Sequence, residues 1–187
     1  MFKESVARRP PQGLLSTVAT CAAVALALGC AAPTALPGTS LGTYNVTGTL
    51  ETNTCGSGLG APNPWTFTTQ MSEDGSVLYW EMSGGSELNS PMTSATQVSI
   101  TSVVTANVDG TDAGVEGPCD LQNTTVIDLT LSSGSPPTSF TGTITFTFVA
   151  ATGVSTATDC TDQLSASGGS YDSLPCTASY TLAGTHQ

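Results

Sequence analysis

From residue 42 onward the chain alternates apolar and polar side chains in short runs, and no stretch repeats apolar residues at the 3.6-residue period of a helix. Period-two alternation puts successive side chains on opposite faces of an extended strand. Seven runs predict strands: Tyr44–Leu50, Trp65–Met71, Val77–Met82, Val98–Val104, Ile127–Leu131, Phe140–Phe148 and Tyr180–Leu182. The cleanest is Phe140–Phe148, where Phe140, Ile144, Phe146 and Phe148 share one face and threonines fill the other. Glu73-Asp74-Gly75 predicts a hairpin turn between the second and third runs, and the Ser/Pro/Gly segment 132–139 another between the fifth and sixth. Threonine dominates the outward positions, where β-branching suits a pleated strand without any charge.

Strands with one apolar face must bury it by closing the sheet on itself or by packing it on a second sheet. The hairpins are consecutive, so residues 42–187 are expected to form one all-β domain. It is an antiparallel meander of seven or eight strands, folded as a small barrel or a β-sandwich. Gly42-Thr43-Tyr44 ahead of the first run resembles the Gly-x-Trp motif of lipocalins, with Tyr in place of Trp. That resemblance implies a lipocalin-like barrel able to hold a small apolar ligand. Tyr44, Trp65, Trp80, Phe140, Phe146, Phe148 and Tyr180 fall on predicted core faces, which leaves Tyr79 and Tyr171 as candidates for a glycan platform.

The first 41 residues follow other rules. Lys3, Arg8 and Arg9 precede a 17-residue apolar run from Gly13 to Gly29. A membrane-spanning helix needs about 20 predominantly apolar residues, and a basic front with small residues behind is the pattern of a signal peptide. Ala27-Leu28-Gly29-Cys30 resembles the lipobox cut by the lipoprotein signal peptidase. The resemblance implies that residues 1–29 are removed and that Cys30 carries acyl chains, palmitate among them, on its sulfur and its amine. Residues 30–41 then form a short Pro/Gly/Ser/Thr tether. Ala31, rather than Asp, follows the cysteine, which favours the outer membrane over inner-membrane retention.

Cleavage before Cys30 changes the charge. All three cationic residues leave with the signal, and only Glu4 of the fourteen acids goes with them, so the mature chain carries a formal charge of −13 and no Lys or Arg. Nucleic-acid binding needs basic side chains against phosphates and is excluded, as is a polybasic membrane patch. The membrane contact is the lipid on Cys30, and the location is the cell envelope.

Four cysteines remain in the domain: Cys55, Cys119, Cys160 and Cys176. Their spacings of 64, 41 and 16 residues contain no close Cys-x-x-Cys pair of the kind zinc sites use, and export favours oxidation, so disulfides are expected. A hairpin of the fifth and sixth strands brings Cys119 and Cys160 to one end, which pairs Cys119 with Cys160 and leaves Cys55 with Cys176. Seven strands, however, put Cys55 and Cys176 at opposite ends. Either a strand is hidden in 85–95 or 151–159, or a loop folds back, or the pairing differs.

Chemistry is sparse. Gly38-Thr39-Ser40-Leu41-Gly42 matches the literal spelling of a serine-nucleophile elbow, but it lies in the tether, and His186 beside the C-terminus is the chain's one histidine. Glu51, Glu81 and Asp128 are strand acids on polar faces with nothing to pair them. No enzyme activity is expected. The acidic segment containing Asp109, Asp112, Glu116 and Asp120 is the best candidate ligand set for Ca²⁺, which wants six to eight oxygens on a turning backbone. It departs from the EF-hand pattern, with Asp112 where the glycine belongs. No other cofactor is implied.

Three stretches (44–56, 106–119 and 159–182), with the lipobox, resemble small cell-envelope lipoproteins of myxobacteria and related deltaproteobacteria, a group with no assigned activity. The resemblance implies the compartment and a single domain, and no functional residues. The chain is expected to be a lipid-anchored envelope protein with a structural or interaction role. The alternative is a binding module for a cation, a glycan or a small apolar ligand.

Overall fold

The computed structural model describes residues 35–108, 119–152 and 159–187. Eight strands account for most of them: β1 (Thr39–Asn53), β2 (Trp65–Asp74), β3 (Val77–Met82), β4 (Glu87–Pro91), β5 (Gln97–Val108), β6 (Cys119–Leu131), β7 (Ser139–Ala150) and β8 (Cys176–His186). Each pairs antiparallel with its neighbours in the chain except β4 with β5, and β8 returns to pair with β1, from Tyr44 opposite His186 to Asn53 opposite Ala178. Between β4 and β5 the circle closes only through an isolated bridge, Met92 to Val98. The meander is therefore an up-and-down barrel, nearly closed, and not a sandwich.

The strand missing from the sequence reading is β4, which falls in the 85–95 window. Of its five residues only Leu88 and Ser90 are even partly buried, so it carries almost no apolar signal. With β4 in place, the end of β1 and the start of β8 lie at the same end of the barrel, and the parity conflict over Cys55 and Cys176 disappears. Both expected disulfides are present, Cys55–Cys176 and Cys119–Cys160.

Inward positions alternate as expected along β1, β2, β3, β6, β7 and β8. Tyr44, Val46, Met71, Leu78, Trp80, Ile100, Ile127 and Ile144 form the centre of the main core, each at most 2% exposed. These side chains fill the barrel rather than line a lumen, as in small barrels generally. Near the end where the chain enters, Tyr44 acts as a plug. Its hydroxyl donates to Pro137 O at 2.7 Å, and its ring meets Phe140 edge-on at 5.5 Å. A deep lipocalin-type ligand cavity is therefore not what the Gly42-Thr43-Tyr44 motif marks here.

The tether boundary also moves. β1 starts at Thr39, and Leu41 is buried in the main core, so the last residues assigned to the tether belong to the barrel. Ser72 Oγ donates to Pro37 O at 2.6 Å and pins the entering chain. Residues 1–34, with the signal segment and Cys30, lie outside the described residues.

Candidate binding site at the barrel mouth

The two ends of the barrel differ. The chain enters at the end where Thr39, Pro91, Gln97 and Leu131 lie. The opposite end, the mouth, carries Asn53, Trp65, Cys119 and Cys176. A second cluster caps this mouth: Cys55, Cys119, Leu121, Cys160, Tyr171 and Cys176 are buried together, with Leu59, Phe148 and Leu164 packed against them. Tyr171, a candidate for an exposed glycan platform in the sequence, is one of these buried residues, with its ring 5.4 Å from that of Phe148. The disulfides weld the cap to β1, β6 and β8, and Asp172 N donates to Cys55 O at 2.8 Å to hold the two loops together.

Between the cap and the main core the packing is incomplete. A recess of about 250 Å³ opens there, walled by Trp65, Phe146, Phe148 and Tyr180, with the Leu59–Pro62 loop on one side and Asn123 at the back. Ligand pockets usually span roughly 300–1,000 Å³, so this one suits a single ring-sized group rather than a long lipid. Trp65 stands 5.2 Å from Tyr180 and 6.0 Å from Phe146, centroid to centroid, which makes a continuous aromatic wall. Alternation along the strands places these rings on core faces. Their strand faces are as expected, yet Trp65, Phe146 and Phe148 stay partly exposed because the core ends below them.

Asn123 is the residue the sequence reading missed. Inward positions on β6 run Ile127, Thr125, Asn123, Leu121, so two polar side chains interrupt the apolar face where the recess lies. Asn123 Oδ1 is buried without a hydrogen-bond partner, one of three such atoms among the described residues. The other two are Trp80 Nε1 inside the main core and Asp162 Oδ2 in the cap. An unsatisfied buried acceptor costs about 1–3 kcal/mol, and in this protein it faces a place where a group could be added. The signal was available as a broken alternation ahead of Ile127.

A larger hollow, about 650 Å³, lies on the outer wall and is lined by hydroxyl residues such as Ser99, Thr130, Thr141 and Thr181 around Asp128 and Gly142. None of its lining residues carries an unsatisfied buried polar atom.

The remaining candidates are scattered. Glu51 Oε1 accepts from Thr181 Oγ1 at 3.0 Å on the outer face, and Glu81 and Asp128 lie on β3 and β6, on separate halves of the sheet. Ser40 sits at a β-bulge in β1, with its Oγ accepting from Gly42 N at 3.2 Å, so the elbow-like spelling has a strand where an elbow needs a turn into a helix. Of the proposed calcium ligands, Asp109, Asp112 and Glu116 lie outside the described residues. Asp120 is buried at the foot of β6, where its Oδ1 accepts from Asn107 Nδ2 at 2.8 Å. Among the described residues no cluster of three or more His, Cys, Asp or Glu side chains could hold a metal. No described helix is long and apolar enough to cross a membrane.

No known protein family, curated protein or solved structure matches this chain.

Proposed function

We propose that this chain is a lipid-anchored protein of the cell envelope with an interaction role, exercised at the barrel mouth on a small apolar group. The observation that carries the reading is the mouth recess: four aromatic side chains, a buried acceptor without a partner, and a filled barrel beneath it. Aromatic walls supply apolar contact with defined geometry, and a single polar group orients what binds. The recess opens at the end of the barrel opposite the one where the described chain enters. The absence of Lys and Arg from the mature chain disfavours carboxylates and phosphates as ligands, since nothing could offset their charge near a surface at −13.

Two measurements test it separately. Incorporating p-benzoylphenylalanine in place of Phe148 in cells and irradiating them should give a discrete mass adduct on the full chain. The same replacement at Thr143, on the outer wall, should give none. Identical unmodified masses at both positions refute binding at the mouth. Metabolic labelling with palmitate should mark the chain, and Cys30→Ala should abolish the label; a label that survives the substitution refutes the anchor.

A further inference from the structure

The open seam between β4 and β5 leaves a second feature, independent of the mouth recess. β5 pairs with β6 along its whole length, from Gln97 opposite Thr130 to Val108 opposite Cys119. On its other side it has only the bridge from Val98 to Met92. Beyond that bridge β4 and β5 diverge, and from Ser102 to Asn107 the outer edge of β5 is hydrogen-bonded to nothing among the described residues. Val103 and Val104, the large apolar side chains left most exposed among the described residues, at 56% and 58%, lie on this stretch.

An exposed strand edge invites another strand, and proteins usually blunt it with Lys, Pro, a bulge or an inward charge. Gln97–Val108 (QVSITSVVTANV) has none of these: no charge, no proline, no glycine, and β-branched residues at seven of its twelve positions. The strip carries no charged side chain.

We propose that this edge pairs antiparallel with the same edge of a second copy of the chain, so that two barrels share a continuous sheet through their open seams. Three observations select that occupant. An antiparallel edge is self-complementary, each copy offering the same alternation of donors and acceptors, so the contact closes as a two-fold dimer rather than a filament. A basic peptide would find no acid on β5 to meet. Among the described residues of β4 and β5, Glu87 at the start of β4 is the one acid, and it lies on the other strand. β5 carries no charged side chain, so two net-negative copies can approach along it without setting carboxylate against carboxylate.

Single cysteines placed at Val103, Val104 and Thr105 in the full chain, expressed in cells and analysed without reductant, test the arrangement. A product of twice the monomer mass is expected at one or more of these positions. It should be absent for Thr47→Cys on the far wall in β1. The paired substitution Val103→Lys with Val104→Lys should abolish dimers recovered by chemical cross-linking while leaving the melting temperature of the barrel unchanged. Monomer alone at all three cysteine positions overturns the proposal, and so does a cross-linked product of any other mass, which would assign the edge to a different protein.

Discussion

Phe140 and Gly184 are cross-strand partners in β7 and β8, and the phenyl ring occupies the space in which a β-carbon on Gly184 would stand. The ring cannot retreat. Tyr44 meets it at 5.5 Å and Trp80 at 5.6 Å, both edge-on, in the filled part of the barrel. The glycine thus makes room for a close-packed aromatic cluster at the point where β7 and β8 approach.

Gly184→Ala is accordingly expected to destabilise the fold by about 1–3 kcal/mol, the usual cost of forcing extra volume into a packed core. Ala183→Gly, one residue away on the exposed face, displaces nothing and serves as the control. Chemical denaturation followed by tryptophan fluorescence distinguishes them.

The two disulfides should differ in worth. Cys55–Cys176 spans 121 residues and Cys119–Cys160 spans 41. On chain-entropy grounds each contributes several kcal/mol, and the longer loop should contribute about 1 kcal/mol more. The double variant Cys55→Ser with Cys176→Ser should therefore unfold at lower denaturant than Cys119→Ser with Cys160→Ser. It should also lose the adduct at Phe148, because Cys55 anchors the Leu59–Pro62 loop that walls the recess.

Asn123→Leu exchanges a buried, unsatisfied acceptor for an apolar side chain of similar size. Stability is expected to rise by about 1 kcal/mol, within the range that an orphaned polar group costs. The small-molecule adduct should weaken in the same variant. A fall in stability would mean that the amide is satisfied in the folded protein.

Burial pushes the Tyr44 phenol above its ordinary pKa of 10.0, and Tyr171 and Tyr180 move in the same direction for the same reason. The folded state then holds these protons at pH values where the unfolded chain releases them. Stability from this source is complete below pH 10 and declines as the pH rises beyond it. Melting temperature measured from pH 8 to 11 should fall above pH 10, and Tyr44→Phe should shallow that fall. The same variant lowers stability at neutral pH by about 1 kcal/mol, through loss of the hydrogen bond to Pro137 O.

Much of this architecture follows from the sequence by itself. Alternation at period two, with threonine outward and Ile, Leu, Val or an aromatic residue inward, decided that Phe140–Phe148 and Tyr44–Leu50 are strands and which side of each is buried, because a half-buried pleated strand has no other stable orientation. Four cysteines in a domain without cations implied cross-links. What alternation could not reach was any segment whose partner is not the core. β4 has Leu88 as its single inward apolar side chain, and it is a strand because β3 offers it an edge. The first half of β6 carries Thr125 and Asn123 on its inner face, so its pattern fails before Ile127, and only pairing with β5 and β7 extends the strand back to Cys119. Closure between β1 and β8 joins residues more than a hundred positions apart, and it determined that the sheet is a barrel, that Cys55 meets Cys176, and that a gap remains beside β5. The recess and the bare edge both lie where local pattern and tertiary pairing part company: the apolar period records burial in a core, and the mouth and the seam are the places where the core stops.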